Sequence, residues 1–227
     1  LKRYRASVLK AACEGRLVPT EAFLVAPLGD LIGDISQGWS PKCDLMREPN
    51  FGEWAVIKTT AVQSMKYMDV ECKPLPESFV PRPHIEIRPG DFLMTRKGPR
   101  ERAGVTCFVR QTRQHSMVCD TVYRFRCHED RVAPDYLEIA LNSLPVVHAI
   151  DKLKSGISDS GVSLTHQKVC GVQIPLPNLH DQKRIVAEVE RRLSVIEELE
   201  ATVAANLKRA ERLRQATLAR SFSVRED

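Results

Sequence analysis

The chain has 227 residues, 43% of them apolar, and a formal net charge of +5. That length suits one globular domain of roughly 150 residues plus an extended element, and the apolar share is enough to bury a core. No run of 18 or more apolar residues and no signal-peptide pattern is present, so neither a membrane span nor secretion is expected. The seven cysteines are scattered without a CxxC pair, which argues against a zinc site or a disulfide framework and for reduced thiols in a cytosol. The chain opens on Leu1 rather than Met, as a fragment of a longer protein would.

In chain order, residues 1–13 form a helical pattern with Leu1, Val8 and Leu9 or Ala12 on one side, stopped at Glu14-Gly15 by a glycine in the usual C-cap place. Its pattern is similar to that of residues 213–222, with Tyr4 aligned on Leu213, as in one unit of a tandem repeat. Residues 18–26 read as a linker, and Pro27-Leu28-Gly29 opens the globular part. Strands are expected at 54–57, 84–87, 91–95, 105–109 and 121–125, with a turn at Arg88-Pro89-Gly90-Asp91. Helical spacing returns over 133–153 and is split by Pro145. A flexible loop at 156–161 and a last strand at 169–174 follow.

From Leu179 to Phe222 there is neither Gly nor Pro, and Asn178 with Asp181 supplies an N-cap. At roughly 1.5 Å per residue such a helix is about 65 Å long, too long for one face of a compact domain. Val189, Ile196, Val203 and Ala210 recur every seven residues, with Ile185, Leu199 and Leu213 in the alternate row, which Arg192 and Asn206 interrupt. Such a stripe predicts a partner helix against Ile185, Val189, Ile196, Leu199, Val203 and Leu213. The charged outer faces read as solvated.

Between Arg88 and Arg126 nine basic residues stand against three acidic ones, which points to a polyanion and to nucleic acid first. Phosphates need cations, and base edges need Arg, Lys, Asn or Gln. The leading candidates are Arg96, Lys97, Arg100 and Arg102, in a loop held by Gly98 and Pro99. Lys58 with Thr59 and Thr60 is a second group, the loop carrying Gln37, Trp39 and Lys42 a third, and Ser158, Ser160 and His166 a weaker fourth. A solvated basic loop is the plain alternative for each, and a packing role is the alternative for Trp39. No Walker loop, GxGxxG, HExxH or Asn/Asp-Pro-Pro-aromatic motif is present, and no catalytic residue, metal ligand or cofactor site is expected. Asp69, Glu71 and Lys73 are the nearest approach to a metal-nuclease cluster.

Several of these stretches together resemble one family. The segment from Arg5 to Val18 looks like the central helix of the DNA-specificity subunits of type I restriction–modification systems, and Pro27-Leu28-Gly29 looks like the start of one of their target-recognition domains. Pro89-Gly90-Asp91-Phe92-Leu93, the helix around Tyr136-Leu137-Glu138-Ile139-Ala140-Leu141-Asn142-Ser143, and Ile174-Pro175-Leu176-Pro177 with Gln182-Lys183-Arg184-Ile185-Val186 follow the family pattern. Asp181 stands where the family commonly has Glu. The resemblance implies a subunit with two recognition domains separated by two antiparallel helices, each domain reading half of a bipartite site in double-stranded DNA. It also implies cytoplasmic partners: modification subunits that methylate adenine with S-adenosylmethionine and an ATP-using restriction subunit, with neither cofactor bound by this chain.

The expected architecture is α+β: a short N-terminal helix (1–17), a linker (18–26), a sheet-rich target-recognition domain (27–177), a long coiled-coil-type spacer helix (178–223) and a tail (224–227). The helix pairs with a second spacer helix or with a second copy of the chain. The expected function is non-catalytic, sequence-specific DNA recognition by half of a specificity subunit or a fragment of one. The alternatives are a Mg-dependent endonuclease with a coiled-coil handle and a structural adaptor.

Overall fold

The computed structural model describes residues 2–20, 23–43, 47–156 and 158–223; the expectations for Leu1 and the tail at 224–227 lie outside the described residues. The architecture is mixed helix and sheet, with a short helix α1 (Lys2–Cys13) at one end of the chain and a long helix α5 (Leu179–Ser223) at the other. Gly15 closes α1 at φ +68°, and a Cβ there would come within 2.8 Å of the Phe23 ring, so both backbone and packing require glycine.

The stretch read as a linker, 18–26, runs into a strand. Leu24–Pro27 pairs antiparallel with Gln173–Leu176, joining the two ends of the globular part. Its centre is a four-stranded antiparallel sheet in the order Ser36–Gln37, Val122–Phe125, Phe92–Thr95, Thr106–Phe108. Every residue of Phe92–Thr95 is buried, because this sheet is covered on both faces. Phe92, Met94, Tyr123 and Phe125 point toward α1 and the helices α2 (Pro134–Leu141) and α3 (Leu144–Leu153). Leu93, Cys107 and Val122 point toward a smaller sheet of Ser116–Met117, Ala55–Ile57 and Cys72–Pro74. Two cores therefore sit back to back across one sheet.

Pro145 lies in the first turn of α3, and the break falls just before it at Asn142 and Ser143. Two expected strands differ, one replaced by a turn and one shortened and shifted. Residues 84–87 enter a 3-10 turn, Pro83–Ile85, since the prolines at 81 and 83 remove backbone donors. Residues 169–174 divide between helix α4 (His166–Cys170), which Thr165 caps by accepting from the Lys168 amide, and the strand Gln173–Leu176. The short strand at Lys97–Gly98, in a segment expected as a loop, pairs with another at Val162–Ser163, just after the loop expected at 156–161.

Asn178 and Asp181 cap α5 reciprocally: the Asp181 amide donates to Asn178 Oδ1 at 2.9 Å, and Asn178 Nδ2 donates to the Asp181 carboxylate at 3.0 Å. Helix α1 runs antiparallel along the first half of α5. Arg5 pairs with Glu200 (3.0 Å) and Glu197 (3.7 Å), while Arg184, fifteen or so residues nearer the domain, donates to the carbonyl of Pro19. The six residues expected to face a partner accordingly divide. Ile185, Val189 and Ile196 are buried within this chain, the first two in the same core as Val8, Leu9 and Ala12. Leu199, Val203 and Leu213 are exposed by 51%, 52% and 61%.

Candidate nucleic-acid interface

The four-stranded sheet delivers two of its strands to one end, where Phe92–Thr95 stops and Val122–Phe125 begins. Arg96 follows directly and stays in register: its amide donates to the Thr121 carbonyl at 2.8 Å, and its carbonyl accepts from the Leu164 amide at 2.8 Å. Its guanidinium Nη1 donates to Gln37 Oε1 (2.8 Å) and to the Asp120 carbonyl (3.1 Å). The guanidinium carbon sits 5.2 Å from the centre of the Tyr123 ring. Gln37 reaches this point from the edge strand, opposite Tyr123.

Gly38 makes that approach possible. A Cβ on it would lie 1.8 Å from the Val118 carbonyl oxygen, so the chain passes closer than any side chain allows. The turn continues with Trp39 donating its amide to the same carbonyl and Ser40 bonding the Asp120 carboxylate. On the other flank, the Thr59 and Thr121 hydroxyls lie 2.8 Å apart. Gln37, Ser40, Thr59, Arg96, Asp120 and Thr121 thus form one polar cluster drawn from segments distant in sequence.

The remaining expected residues fall in different places. Lys97 and Lys42 are exposed. Arg102 is turned inward, donating to the carbonyls of Thr59 (2.7 Å) and Val62 (2.6 Å) and to Gln63 Oε1 (3.1 Å). Arg100 pairs with Asp151 at 2.7 Å and Asp159 at 3.7 Å; Arg100 first and Lys154 second hold the Asp151 carboxyl down to about 2. Lys58 pairs with Glu71 at 3.7 Å. Trp39 packs edge-on against Phe79, with the Arg82 guanidinium 3.9 Å over its ring. Ser160 is exposed and within 2.8 Å of the Ser158 hydroxyl, and His166 is exposed at the start of α4. Arg100 and Arg102, grouped with Arg96 from sequence, are therefore tied within the chain: Arg102 is enclosed by acceptors from residues 59–63, and the partly exposed Arg100 is paired with Asp151.

Most of the other arginines over 88–126 are tied within the chain as well, some by ion pairs and some by neutral carbonyls. Arg110 is paired with Asp135 and with the buried Glu138, whose carboxyl burial pushes up. Arg113 donates to the carbonyls of Asn50 and Glu53. Arg124 and Arg126 line a cleft of about 470 Å³ at the opposite end of the sheet, with His84, Glu86, Arg88 and Asp91. There Arg126 pairs with Asp91 at 2.7 Å, and Arg124 donates to the carbonyls of Glu86 and His84. No local sequence signal marked this cleft, because its walls come from three separate segments.

Asp69, Glu71 and Lys73 form no nuclease-like group. Glu71 accepts from the Thr60 hydroxyl at 2.7 Å and pairs with Lys58. Among the described residues no three His, Cys, Asp or Glu side chains are placed to hold a metal ion, and no helix is long and apolar enough to cross a membrane.

No protein-family model matches the chain. The type I restriction enzyme EcoEI specificity subunit of Escherichia coli is 35% identical to it over 174 residues, which are 77% of this chain and 29% of that protein. Among solved structures, the S subunit of a type I restriction–modification system from M. genitalium matches 81% of this chain and 41% of its own, at 13% identity and a TM-score of 0.53. The HsdS subunit from Thermoanaerobacter tengcongensis matches 88% and 48%, at 19% identity and 0.56. A chain from a structure of complex assembly and conformational transition in the type I R-M system matches 95% and 52%, at 20% identity and 0.58. The chain therefore spans less than a third of the curated relative and about half of the structural ones.

Proposed function

We propose, from homology to one part of the type I restriction enzyme specificity subunits, that this chain is a non-catalytic unit of sequence-specific DNA recognition. The observation that carries the reading is the 35% identity over 174 residues, 77% of the chain. In this reading residues 27–177 recognise one half of a bipartite site in double-stranded DNA. Residues 1–17 are the end of one spacer helix, 18–26 its linker, and 178–223 the other spacer helix, followed by a short tail. The domain selects a sequence, and the helices set its distance from the second half-site while docking adenine methyltransferase and restriction subunits in the cytoplasm. The chain contributes no catalytic group and binds neither S-adenosylmethionine nor ATP.

Support from the fold is the exposed stripe on the distal half of α5, which is suited to a second helix, and the polar cluster at the sheet end, which has the side-chain types that read base edges. The test is size exclusion with light scattering on the chain alone and mixed with the modification subunit of its own system, followed by DNA binding. A stable complex with selective DNA binding is expected. Failure to associate at any salt concentration, together with DNA cleavage by the purified chain in Mg²⁺, overturns the reading in favour of a nuclease.

A further inference from the structure

The hydrogen bond between Arg96 and Gln37 decides what each can still offer a ligand. A free glutamine amide presents a donor beside an acceptor, the arrangement that pairs with the N6 amino group and N7 of adenine. Here the Gln37 oxygen already accepts from Arg96 Nη1 at 2.8 Å. Among the described residues the Gln37 amide nitrogen and Arg96 Nη2 hold no hydrogen bond, and Gln37 is exposed. What remains at this point is a pair of neighbouring donors.

Two donors match guanine, which shows only the acceptors N7 and O6 on its major-groove edge, and mismatch the amino groups of adenine and cytosine. A phosphate also offers only acceptors, but two features of the site favour the base. Asp120 belongs to the same cluster, and its carboxylate repels an anion. The guanidinium is also half-buried and fixed. Tyr123 lies beneath it and is itself tied by its hydroxyl to the Leu164 carbonyl at 3.1 Å, while Nε is buried with no partner. A fixed fork suits a base edge, whereas the exposed Lys97 next to it is the mobile point charge that suits a phosphate.

We propose that Arg96 and Gln37 together read a guanine in the major groove, an inference that rests on the DNA-recognition reading above. The test is selection of bound sequences from randomised duplexes by the full chain assembled with its modification subunits. The wild type is expected to select a motif containing a guanine that Arg96→Ala no longer requires, while the other positions persist. Gln37→Glu keeps the Arg96 contact but exchanges the free donor for an acceptor, and it lowers the preference at that same position. Replacing that guanine by 7-deazaguanine weakens wild-type binding about tenfold and leaves Arg96→Ala unaffected. Lys97→Ala weakens binding to all sequences alike and flattens the salt dependence.

Two results overturn the inference alone: an unchanged motif with Arg96→Ala, or a uniform loss across sequences that is indifferent to 7-deazaguanine. Absence of any selected motif with the wild type overturns the DNA-recognition reading as well.

Discussion

Arg102 gives its guanidinium to the carbonyls of Thr59 and Val62 and to the amide oxygen of Gln63, and so fastens the 59–63 segment onto the turn that follows Gly98. Removing it strands those acceptors. Arg102→Ala is therefore expected to destabilise the fold by about 2 kcal/mol, seen as a lower urea midpoint at unchanged slope. Asp151 ties the neighbouring Arg100 and Lys154, and its carboxyl is held down to about 2 against an ordinary 3.8. Because its folded-state value is depressed, its stabilising contribution is fully present above the ordinary value and is lost as pH falls through about 2. Asp151→Asn should remove that part of the acid dependence, so stability measured between pH 4 and 2 falls less steeply than in the wild type. Its partial exposure keeps the effect small. These tethers explain why a row of arginines in sequence does not make an equally basic surface.

At the scale of elements, α5 has two halves with different surroundings. Near the domain its apolar row is closed by α1 and the helical core; beyond the Arg5–Glu200 ion pair it is open. Ile185 is wholly buried, and Ile185→Ala should cost about 3 kcal/mol through lost burial and a residual cavity. Leu199 is half-exposed, and Leu199→Ala should change the stability of the isolated chain by no more than about 0.5 kcal/mol. Equal losses at the two positions in thermal or urea unfolding would contradict this division. The heptad period was legible in sequence because a side chain every seven residues always returns to one face. Which heptads were already occupied was not, because α1 lies more than 160 residues away along the chain. The sequence hides helix α4 for a local reason: Val169, Val172 and Ile174 read as a strand, and the Thr165 cap with Gly171 overrides that pattern.

Across the whole molecule, helix α1 shares one core with α2, α3, the sheet face of Phe92 and Phe125, and the root of α5. It is therefore part of the domain's foundation. A chain lacking residues 2–13 should unfold at least about 10 °C lower than the intact chain, because Val8, Leu9, Ala12 and Cys13 leave that core together. An unchanged melting temperature would make α1 an appendage.

By itself the sequence determined the mixed class, the central strands at 91–95, 105–109 and 121–125, the split helix at Pro145, the capped length of α5 and the family resemblance. Each of these is written in local periodicity, capping chemistry or motif order, which neighbouring residues decide among themselves. Only the tertiary structure decided which cations are displayed. Arg96 and Arg102 are indistinguishable in sequence, yet one meets Gln37 at an open sheet end and the other meets three acceptors folded over it. The difference comes from long-range pairing, where the strand order brings residues 37, 96 and 121 together and the 59–63 segment closes over residue 102. A charge reports what a side chain can bind; its neighbours in space determine what remains unbound.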